Sequence, residues 1–266
     1  MITNKKIVLT GANSGIGLEV LKLLVEGDNK ILAVDLHTDK IETFDSGKVV
    51  PMIMDVSKKE NVDLIFDRAT EVLGGIDIFY ANAGYPYYEE FNYANWERVE
   101  RLFETNVFSP IYTYGKYLEY LDGKQGHMAI TVSAIGTMAI PGYTIYSASK
   151  FAMNGFQEGL QMEIPDNMKL TCLYPIATDT GFFKKATEGS HRKITERPFP
   201  VQNPKVVARR MVKGLEKGKK KVSPSKLFSI AKVLMAICPP IKWIYIALEK
   251  KKLTRFLAQK EAEIKE

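Results

Sequence analysis

The sequence predicts an α/β protein with a doubly wound parallel sheet, formed by a single domain with a C-terminal helical extension. Two observations support this fold class. Short apolar runs of strand length alternate with longer segments of helical periodicity, an order typical of βαβ units. A glycine-rich turn lies between the first apolar run and the first helical segment. With 266 residues, 45% of them hydrophobic, the chain is long enough to bury one large core.

The predicted elements follow one another in regular order along the chain. The strand-like runs cover residues 6–9, 30–35, 48–54, 76–81, 127–132 and 169–174. The helical segments cover residues 15–26, 58–73, 95–121, 146–163 and 204–216. Because crossovers between parallel strands are right-handed, this order predicts helices on both faces of one sheet. Ligands of such sheets bind at the carboxyl ends of the strands, where the strand order reverses.

A glycine-rich turn joins the first predicted strand to the first predicted helix. Its glycines are Gly11, Gly15 and Gly17. Glycine is favoured where a backbone turns tightly and where a pyrophosphate approaches main-chain N–H groups at the positive end of a helix. The turn therefore predicts a dinucleotide site, with a plain glycine-rich turn as the alternative. The other residues expected to contact the nucleotide here are Asn13, Ser14 and Ile16.

A tyrosine and a lysine, Tyr146 and Lys150, lie four residues apart in the fourth helical segment. At this spacing both side chains leave the same helix face, so the ammonium can lie near the phenol oxygen and favour its ionised form. Ser133 directly follows the fifth strand-like run and would offer a hydroxyl to the same substrate oxygen. The three residues predict proton transfer at a carbonyl or alcohol oxygen. A solvated surface pair is the alternative for the tyrosine and lysine taken alone.

With these motifs the chain resembles the short-chain dehydrogenase/reductase family over roughly residues 5 to 215. The nucleotide turn of that family reads Thr-Gly-x-x-x-Gly-x-Gly, which the chain matches from Thr10 to Gly17. Two further family motifs, Asp-Val after the third strand and Asn-Ala-Gly after the fourth, are matched by Asp55, Val56, Asn82, Ala83 and Gly84. The resemblance implies a Rossmann fold and hydride transfer between a nicotinamide nucleotide and a secondary alcohol or ketone.

The resemblance also assigns roles in the active site. Asn106 would hold a water of a proton relay, and Ser133 would orient the substrate oxygen. Tyr146 would transfer the proton, while Lys150 would bind the nicotinamide ribose and tune the tyrosine. The remaining cofactor contacts that it implies are Pro175, Thr178 and Thr180. The chain has Ile176 where the family usually has glycine, so either the path of the loop or the floor of the pocket near the nicotinamide is expected to differ.

The second strand-like run ends in Asp35, some twenty residues beyond the glycine turn, where a carboxylate can accept the 2′-hydroxyl of a nucleotide ribose. Relatives that prefer NADP tend to carry arginine or lysine nearby, whereas this chain has Ser14, Leu36 and His37. The sequence therefore favours NAD as the cofactor. Two alternatives stay open: an ordinary turn aspartate at position 35, and NADP if His37 is protonated.

The substrate is expected to be hydrophobic. In the family, the segment after the sixth strand folds over the substrate, and here it runs from Thr178 to about Pro204. An apolar pocket suits a lipid-like, steroidal, retinoid or aromatic carbonyl compound. Its expected lining is Tyr85, Pro86, Tyr87, Tyr88, Ile135, Met138, Ile140, Tyr143, Phe182, Phe183 and Phe199. As an alternative for the lining, the aromatic residues only pack under the loop. The alternatives for the function are an NADP-dependent ketone or 3-oxoacyl reductase and a non-catalytic NAD-sensing scaffold.

The tail differs in composition from the rest of the chain. Residues 1–222 are expected to form the nucleotide-binding and catalytic domain, and residues 223–266 an apolar and basic helical extension. Lysines bracket an apolar stretch that Pro239 and Pro240 interrupt, so neither half reaches the ~20 residues that a membrane span requires. Two helices that lie on a membrane surface through residues 225–252 fit this pattern. A lid or a subunit-interface helix pair is the alternative.

The remaining composition narrows the function further. Two cysteines, Cys172 and Cys238, do not indicate a disulfide framework, and three scattered histidines, at 37, 127 and 191, predict no metal site. The net charge of +6 comes with no nucleic-acid-binding module, so no nucleic-acid partner is expected. The amino terminus leads straight into the first strand, which predicts a cytoplasmic protein, with peripheral membrane contact as an option. The family resemblance implies a homodimer or homotetramer that forms through the helices at 95–121 and 146–163.

Overall fold

A computed structural model describes residues 1–187, 194 and 198–263 of the chain. Seven strands in this part form one parallel sheet with the order β3-β2-β1-β4-β5-β6-β7. They are β1 (Lys6–Thr10), β2 (Lys30–Asp35), β3 (Val49–Ile53), β4 (Ile78–Ala81), β5 (Gly126–Thr131), β6 (Met168–Leu173) and β7 (Lys221–Val222). The order reverses between β1 and β4, as in a doubly wound sheet, which confirms the predicted fold class.

Helices connect the strands and cover both faces of the sheet. They are α1 (Gly15–Val25), α2 (Lys59–Leu73), α3 (Trp96–Phe103), α4 (Ser109–Leu121), α5 (Thr144–Glu163), α6 (Phe182–Lys185), α7 (Pro204–Glu216), α8 (Lys226–Ile237) and α9 (Pro239–Glu263). Short 3₁₀ turns lie at Ile41–Thr43 and Ala134–Gly136. A five-residue π-helical segment, Glu104–Phe108, joins α3 to α4.

Each predicted strand is present within two residues of its expected bounds. The helix expected over residues 95–121 is interrupted by the π-helical segment, and the two-residue strand β7 is too short to leave a sequence pattern. In a π-helical turn the backbone bonds over five residues instead of four, so one extra residue is accommodated. This local distortion depends on tertiary packing and could not be read from periodicity.

The core has two layers, one on each face of the sheet. Successive side chains of a strand point to opposite faces, and β1 shows this alternation: Val8 packs with α2, α4 and α5, while Ile7 and Leu9 pack with α1 and α7. These three side chains are fully buried. A strand buried on both faces explains why the predicted strands read as continuous apolar runs.

The tail forms two helices, α8 and α9, that meet at a sharp bend after Cys238. A third apolar cluster joins the tail to the rest of the protein, since Phe256 of α9 packs with Tyr88 and Tyr143. In contrast, α8 has no buried residue within the described chain. Among the described residues, no single helix is long and apolar enough to cross a membrane, whereas the pair 226–237 and 239–259, bent by 118°, meets the same length and composition criteria together.

Candidate active site

The glycine turn after β1 allows an unusually close approach of two backbone segments. Gly11 and Gly15 have φ values of +65° and +56°, in the left-handed region that glycine adopts without steric cost. A Cβ atom on Gly17 would lie 1.9 Å from the Gly11 carbonyl oxygen. No side chain fits at that distance, so Gly17 lets the start of α1 pack directly against the turn. The first N–H groups of α1 therefore face the cleft above the sheet.

Side chains at the ends of β1, β4 and β5 tie the floor of this cleft together. The Asn82 amide donates to the carbonyl oxygens of Thr10 and Gly11, at 3.2 Å each, and accepts a 2.9 Å hydrogen bond from Thr131 Oγ1. Thr10 Oγ1 in turn accepts hydrogen bonds from the backbone N–H groups of Asn82 and Ala83, both at 3.1 Å. Neither Thr10 nor Thr131 was among the predicted site residues, because their contacts join strands that are distant in sequence.

Asp35 lies at the end of β2 and lines the cleft beside the glycine turn. Its carboxylate accepts hydrogen bonds from the backbone N–H groups of Asn13 and Leu36, each at 2.8 Å, which fix its orientation. The Asn13 side chain points away from the cleft, where it donates to Asp39 at 2.6 Å and accepts from the N–H of Lys40 at 2.9 Å. Asn13 thus supports the wall of the cleft, while Asp35 presents a carboxylate to it.

Ser133 and Tyr146 meet on the opposite side of the cleft, above the end of β5. Ser133 has φ = 140°, a strained backbone conformation for a residue with a side chain, and such strain is concentrated at functional sites. Its hydroxyl donates to the Pro175 carbonyl oxygen at 3.4 Å and accepts from the N–H of Ile135 at 3.3 Å. Burial raises the pKa of Tyr146 well above its usual value, while the hydrogen bond with Ser133 lowers it.

Lys150 is buried below Tyr146, with 4% of its surface exposed. Its ammonium donates to the Thr131 carbonyl oxygen at 3.1 Å and lies 5.8 Å from the centre of the Tyr146 ring. Burial lowers the pKa of Lys150 to about 8. The lysine is therefore a desolvated cation one helical turn from the tyrosine, and its charge is poorly compensated in the free protein.

Asn106 lies in the π-helical segment and holds the loop that follows β4. Its side chain accepts from the N–H of Tyr85 at 3.1 Å, donates to the Tyr85 carbonyl oxygen at 2.9 Å and donates to Ser149 Oγ at 3.2 Å. A Cβ atom on Gly84 would lie 2.9 Å from Asn106 Oδ1, so a larger residue here would displace the Asn106 side chain. The side-chain amide is thus occupied by protein contacts, and a water would have to bind the backbone of this segment instead.

The loop after β6 forms the remaining wall. Pro175, Ile176, Thr178 and Thr180 all line the cleft, and Thr180 lies beside Gly15, where an added Cβ atom would be 3.4 Å from the threonine methyl carbon. Thr178 Oγ1 donates to the Ile176 carbonyl oxygen at 2.9 Å, and the Thr180 hydroxyl accepts from the N–H of Phe182 at 3.2 Å. The isoleucine at position 176 therefore contributes apolar surface to the cleft.

One continuous cleft joins all these groups. The predicted site residues that line it are Gly11, Ser14, Gly15, Ile16, Gly17, Asp35, Asp55, Val56, Asn82, Ala83, Gly84, Ser133, Tyr146, Pro175, Thr178 and Thr180. Asn13, Asn106 and Lys150 lie behind this surface and support it. Asp55 accepts from the N–H of Ser57 at 2.9 Å, which fixes the turn after β3.

Apolar side chains form the half of the cleft next to Tyr146. Those predicted residues that line it are Tyr85, Ile135, Met138, Ile140, Tyr143, Phe182, Phe183 and Phe199. Tyr88 instead packs behind this wall against Tyr143, with ring centres 4.7 Å apart, and Arg98 lies 3.6 Å above the ring of Tyr87. Parts of the loop expected over residues 178–204, namely 188–193 and 195–197, lie outside the described residues.

Two residues of the tail, Phe228 and Tyr245, also line the cleft. Their contribution could not be predicted, because the sequence does not determine where a helix pair after the last strand packs against the rest of the protein. Within the described residues, the acidic, histidine and cysteine side chains form no group of three or more that could hold a metal ion. His191 lies outside those residues.

The family model described as short chain dehydrogenase matches residues 5–191. A 3-ketodihydrosphingosine reductase from Bos taurus is 30% identical over 227 residues, which cover 80% of this chain and 68% of that protein. A short chain dehydrogenase/reductase from Burkholderia phymatum in complex with NAD superposes with a TM-score of 0.74 at 19% identity, covering 91% of this chain and 94% of the other. A short chain dehydrogenase from Burkholderia cenocepacia in complex with NADP has a TM-score of 0.74 at 21% identity, with 90% and 95% of the two chains covered.

Proposed function

Since the chain belongs to the short chain dehydrogenase family, we propose that it transfers a hydride between a nicotinamide nucleotide and a secondary alcohol or ketone. The observation that carries this proposal is the meeting of a glycine turn, a buried tyrosine and a buried lysine in one cleft at the carboxyl edge of the sheet. A ketone reductase is also the activity named for the Bos taurus relative. We infer that NAD is the favoured nucleotide and that the substrate is hydrophobic.

The residues of the cleft fit a dinucleotide. Gly11 and Gly17 let the turn, the start of α1 and the backbone at Ala83 pack closely together, which would bring a pyrophosphate next to the first N–H groups of α1. Asp35 presents a carboxylate where a ribose hydroxyl would donate. Thr180 lies beside Gly15 in the wall of the cleft and would contact the pyrophosphate or nicotinamide. When bound, the nucleotide supplies or accepts the hydride at its nicotinamide ring.

Our mechanism assigns the proton to Tyr146. In ketone reduction the Tyr146 hydroxyl donates its proton to the carbonyl oxygen, while Ser133 donates a hydrogen bond to the same oxygen. The raised pKa of Tyr146 keeps the phenol protonated at neutral pH, as this direction requires. In alcohol oxidation the tyrosinate takes the proton, and the buried ammonium of Lys150 stabilises that anion. A water held at the backbone of the segment with Asn106 would then return the proton to solvent.

Replacement of the tyrosine hydroxyl tests catalysis against a purely nucleotide-sensing role. In Tyr146→Phe we expect the rate of ketone reduction to fall at least about a hundredfold, since general acid catalysis contributes about 10²–10⁴-fold to the rate. The dissociation constant for NADH should change less than about threefold, because the hydroxyl contacts substrate. Tyr114→Phe removes a hydroxyl from a buried tyrosine outside the cleft and serves as the matched control. Turnover that survives in Tyr146→Phe would refute the mechanism.

The preference for NAD rests on the charge around Asp35. A second carboxylate belongs to the same region, since Asp35 accepts from the backbone N–H of Asn13 and Asp39 from its side-chain amide. Asp35 lines the cleft and supplies most of the repulsion of the 2′-phosphate of NADP, while Asp39, which does not line it, adds a smaller and more distant contribution. A protonated His37 would offset this repulsion and is the basis of the NADP alternative.

Kinetics with the two nucleotides test this preference. The ratio of kcat/KM for NADH over NADPH should exceed one in the natural protein. It should fall at least about tenfold in Asp35→Ser, because this variant loses one close charge interaction with the nucleotide. Asp39→Asn removes a carboxylate that does not line the cleft and keeps its bond to Asn13, so it should change the ratio much less. A tenfold advantage for NADPH in the natural protein would overturn the assignment.

The substrate half of the cleft favours a hydrophobic ketone. Phe182, Phe183 and Ile140 line it together with Phe228 and Tyr245 from the tail. A surface of this kind gains free energy from burying an alkyl chain or a fused ring. A panel of long-chain, steroidal and small polar ketones tests this proposal, and turnover restricted to the small polar members would contradict it.

We further propose that the extension over 223–266 rests on a membrane surface through residues 225–252, with residues 1–222 as the catalytic unit. Ile237 and Trp243 are 76% and 67% exposed, although both are apolar. Lysines 226, 232, 242, 250 and 251 are exposed on the same two helices, and anionic lipid attracts such charges. This arrangement agrees with a hydrophobic substrate, since the cleft is partly walled by the same helices.

Flotation with liposomes tests membrane contact. The intact protein should float with anionic vesicles and much less with zwitterionic ones. The double variant Ile237→Glu/Trp243→Glu should stay at the bottom of the gradient, while Trp96→Glu, which changes an equally exposed residue of α3, should still float. If the intact chain does not float with anionic vesicles, the tail is a lid or a subunit interface instead.

A further inference from the structure

The hydroxyl of Tyr143 is a buried polar group that the mechanism above does not use. Tyr143 precedes α5 and is 3% exposed. Its hydroxyl oxygen has no hydrogen-bond partner among the residues that the structure describes, and the residue lines the apolar half of the cleft. Burial of a hydroxyl without a partner costs free energy, so a group of this kind in a binding cleft calls for a ligand atom.

The ring of Tyr143 is held in one position. It packs between Tyr88, at 4.7 Å between ring centres, and Tyr146, at 6.1 Å. A Cβ atom on Gly142 would lie 2.2 Å from the Tyr88 ring, so the chain uses glycine there to bring the tyrosines together. A hydroxyl on a ring that is clamped on both sides is preorganised, which lowers the entropy cost of binding a partner.

A carboxylate lies behind this hydroxyl. Glu249 of α9 is 5% exposed and accepts a 2.8 Å hydrogen bond from Lys252. Burial raises the pKa of Tyr143 well above its usual value, and the charge of Glu249 adds to this effect. Tyr143 therefore remains a neutral phenol, and the nearby negative charge favours a partner that donates a hydrogen bond to its oxygen.

We infer that Tyr143 is a specificity-determining residue, which binds a hydrogen-bond donor, a hydroxyl or an amine, that the substrate carries close to its reacting carbonyl. The donor must lie close to the carbonyl because the rings of Tyr143 and Tyr146 are neighbours. The rest of the substrate is apolar, as the lining beyond Tyr143 requires. This inference rests on the proposed function and deepens it, from a hydrophobic ketone to a hydrophobic ketone with an adjacent polar substituent.

The tail takes part in this selection. Glu249 and Tyr245 both lie on α9, and Tyr245 donates a 3.4 Å hydrogen bond to the Phe199 carbonyl oxygen while it lines the cleft. The helix that supplies the carboxylate behind Tyr143 therefore also forms the outer wall of the substrate site. Recognition of the second polar group would depend on the tail being docked as it is in this structure.

Three long-chain ketones that differ only at the carbon next to the carbonyl test the inference: one carries hydrogen there, one a hydroxyl and one an amine. We would measure both kcat/KM with the nucleotide and the dissociation constant by calorimetry, the latter in a Tyr146→Phe background where no turnover interferes. The natural Tyr143 should favour the hydroxyl or amine compound. Tyr143→Phe should lower the preference for the substituted over the unsubstituted ketone about tenfold, both in kcat/KM and in affinity. A change of this size corresponds to the loss of one neutral hydrogen bond.

Two further variants separate the possible outcomes. Glu249→Gln keeps the shape of the side chain but removes its charge, so it should weaken the amine compound more than the hydroxyl compound. Tyr114→Phe controls for loss of a tyrosine hydroxyl elsewhere, and thermal melting shows whether each variant is folded. Equal ratios in the natural protein and Tyr143→Phe would overturn the inference. An absence of turnover with every ketone would instead contradict the proposed function, and the calorimetric ratios would still decide the role of Tyr143.

Discussion

The buried Lys150 of the active site should lower the free energy of unfolding of the protein. Its charge is desolvated, and the one hydrogen bond that it makes with the described residues is to the Thr131 carbonyl oxygen. Burial lowers the pKa of Lys150 from 10.5 to about 8. Since each tenfold change in an equilibrium is worth about 1.4 kcal/mol, folding with this lysine charged costs about 3 kcal/mol at pH 7. We therefore expect Lys150→Met, a neutral side chain of similar shape, to be more stable than the natural protein.

The net gain in the free energy of unfolding should be about 2 kcal/mol at pH 7, since loss of the hydrogen bond to Thr131 offsets about 1 kcal/mol. For a chain of this length, that corresponds to a rise in Tm of about 5 °C. The sign of the pH dependence follows from the lowered pKa. The unfolded lysine binds a proton more tightly than the folded one, so the natural protein gains stability as the pH rises from about 8 to 10.5.

Denaturant unfolding of the nucleotide-free protein at several pH values measures both effects. The stability difference between Lys150→Met and the natural protein should shrink from about 2 kcal/mol at pH 7 to nearly zero at pH 10. Lys150→Met should at the same time lose catalysis, because no cation remains to stabilise the tyrosinate. A variant that is less stable than the natural protein at pH 7, with a difference that does not change with pH, would refute the reasoning.

Three other predictions follow from the same geometry. Gly17→Ala places a Cβ atom against the Gly11 carbonyl oxygen, so calorimetry should detect loss of NADH binding at least about tenfold. Gly159→Ala, in α5 outside the cleft, is the control, because the added Cβ atom meets open space there. The exposed apolar residues Phe108 and Phe151 lie on the helices expected to pair between subunits, so Phe151→Glu should reduce the mass found by light scattering to that of a monomer. The raised pKa of Tyr146 predicts that alcohol oxidation accelerates steadily as the pH rises through the neutral range, whereas ketone reduction stays level; an oxidation rate that is flat with pH would exclude tyrosinate as the base.

Local motifs account for the part of the structure that the sequence predicts well. Strands buried on both faces are continuous apolar runs, and the turn at Gly11 and Gly15 needs positive φ values that glycine alone adopts easily. Tyr146 and Lys150 share a helix, so their spacing fixes their relation before any tertiary structure is known. For these elements, the physical requirement and the residues that meet it lie within a few positions of one another.

The contacts that the sequence could not predict all join distant segments. Thr131 connects Asn82, Tyr80 and Lys150 through its hydroxyl and carbonyl groups, yet a threonine at the end of a strand has no distinguishing pattern. The side chain of Asn106 anchors the backbone of Tyr85, and this role depends on the π-helical segment that positions Asn106. Such features follow from how the sheet orders its strands, and they become visible only once that order is known.

The two roles expected for the tail, a lid over the cleft and a membrane-contacting surface, are compatible with each other. One contact surface of α9 reaches inwards, where Phe256 packs on Tyr88 and Tyr245 lines the cleft. Other positions of the same helix pair, Ile237 and Trp243, point apolar surface outwards. A lid and a membrane-contacting surface can thus be the same two helices.

If the outward apolar surface enters a lipid headgroup layer, the wall of the substrate cleft moves with it, so lipid binding and access of a hydrophobic ketone should be coupled. We therefore expect anionic vesicles to lower the KM for long-chain ketones in the natural protein and to leave it unchanged in Ile237→Glu/Trp243→Glu.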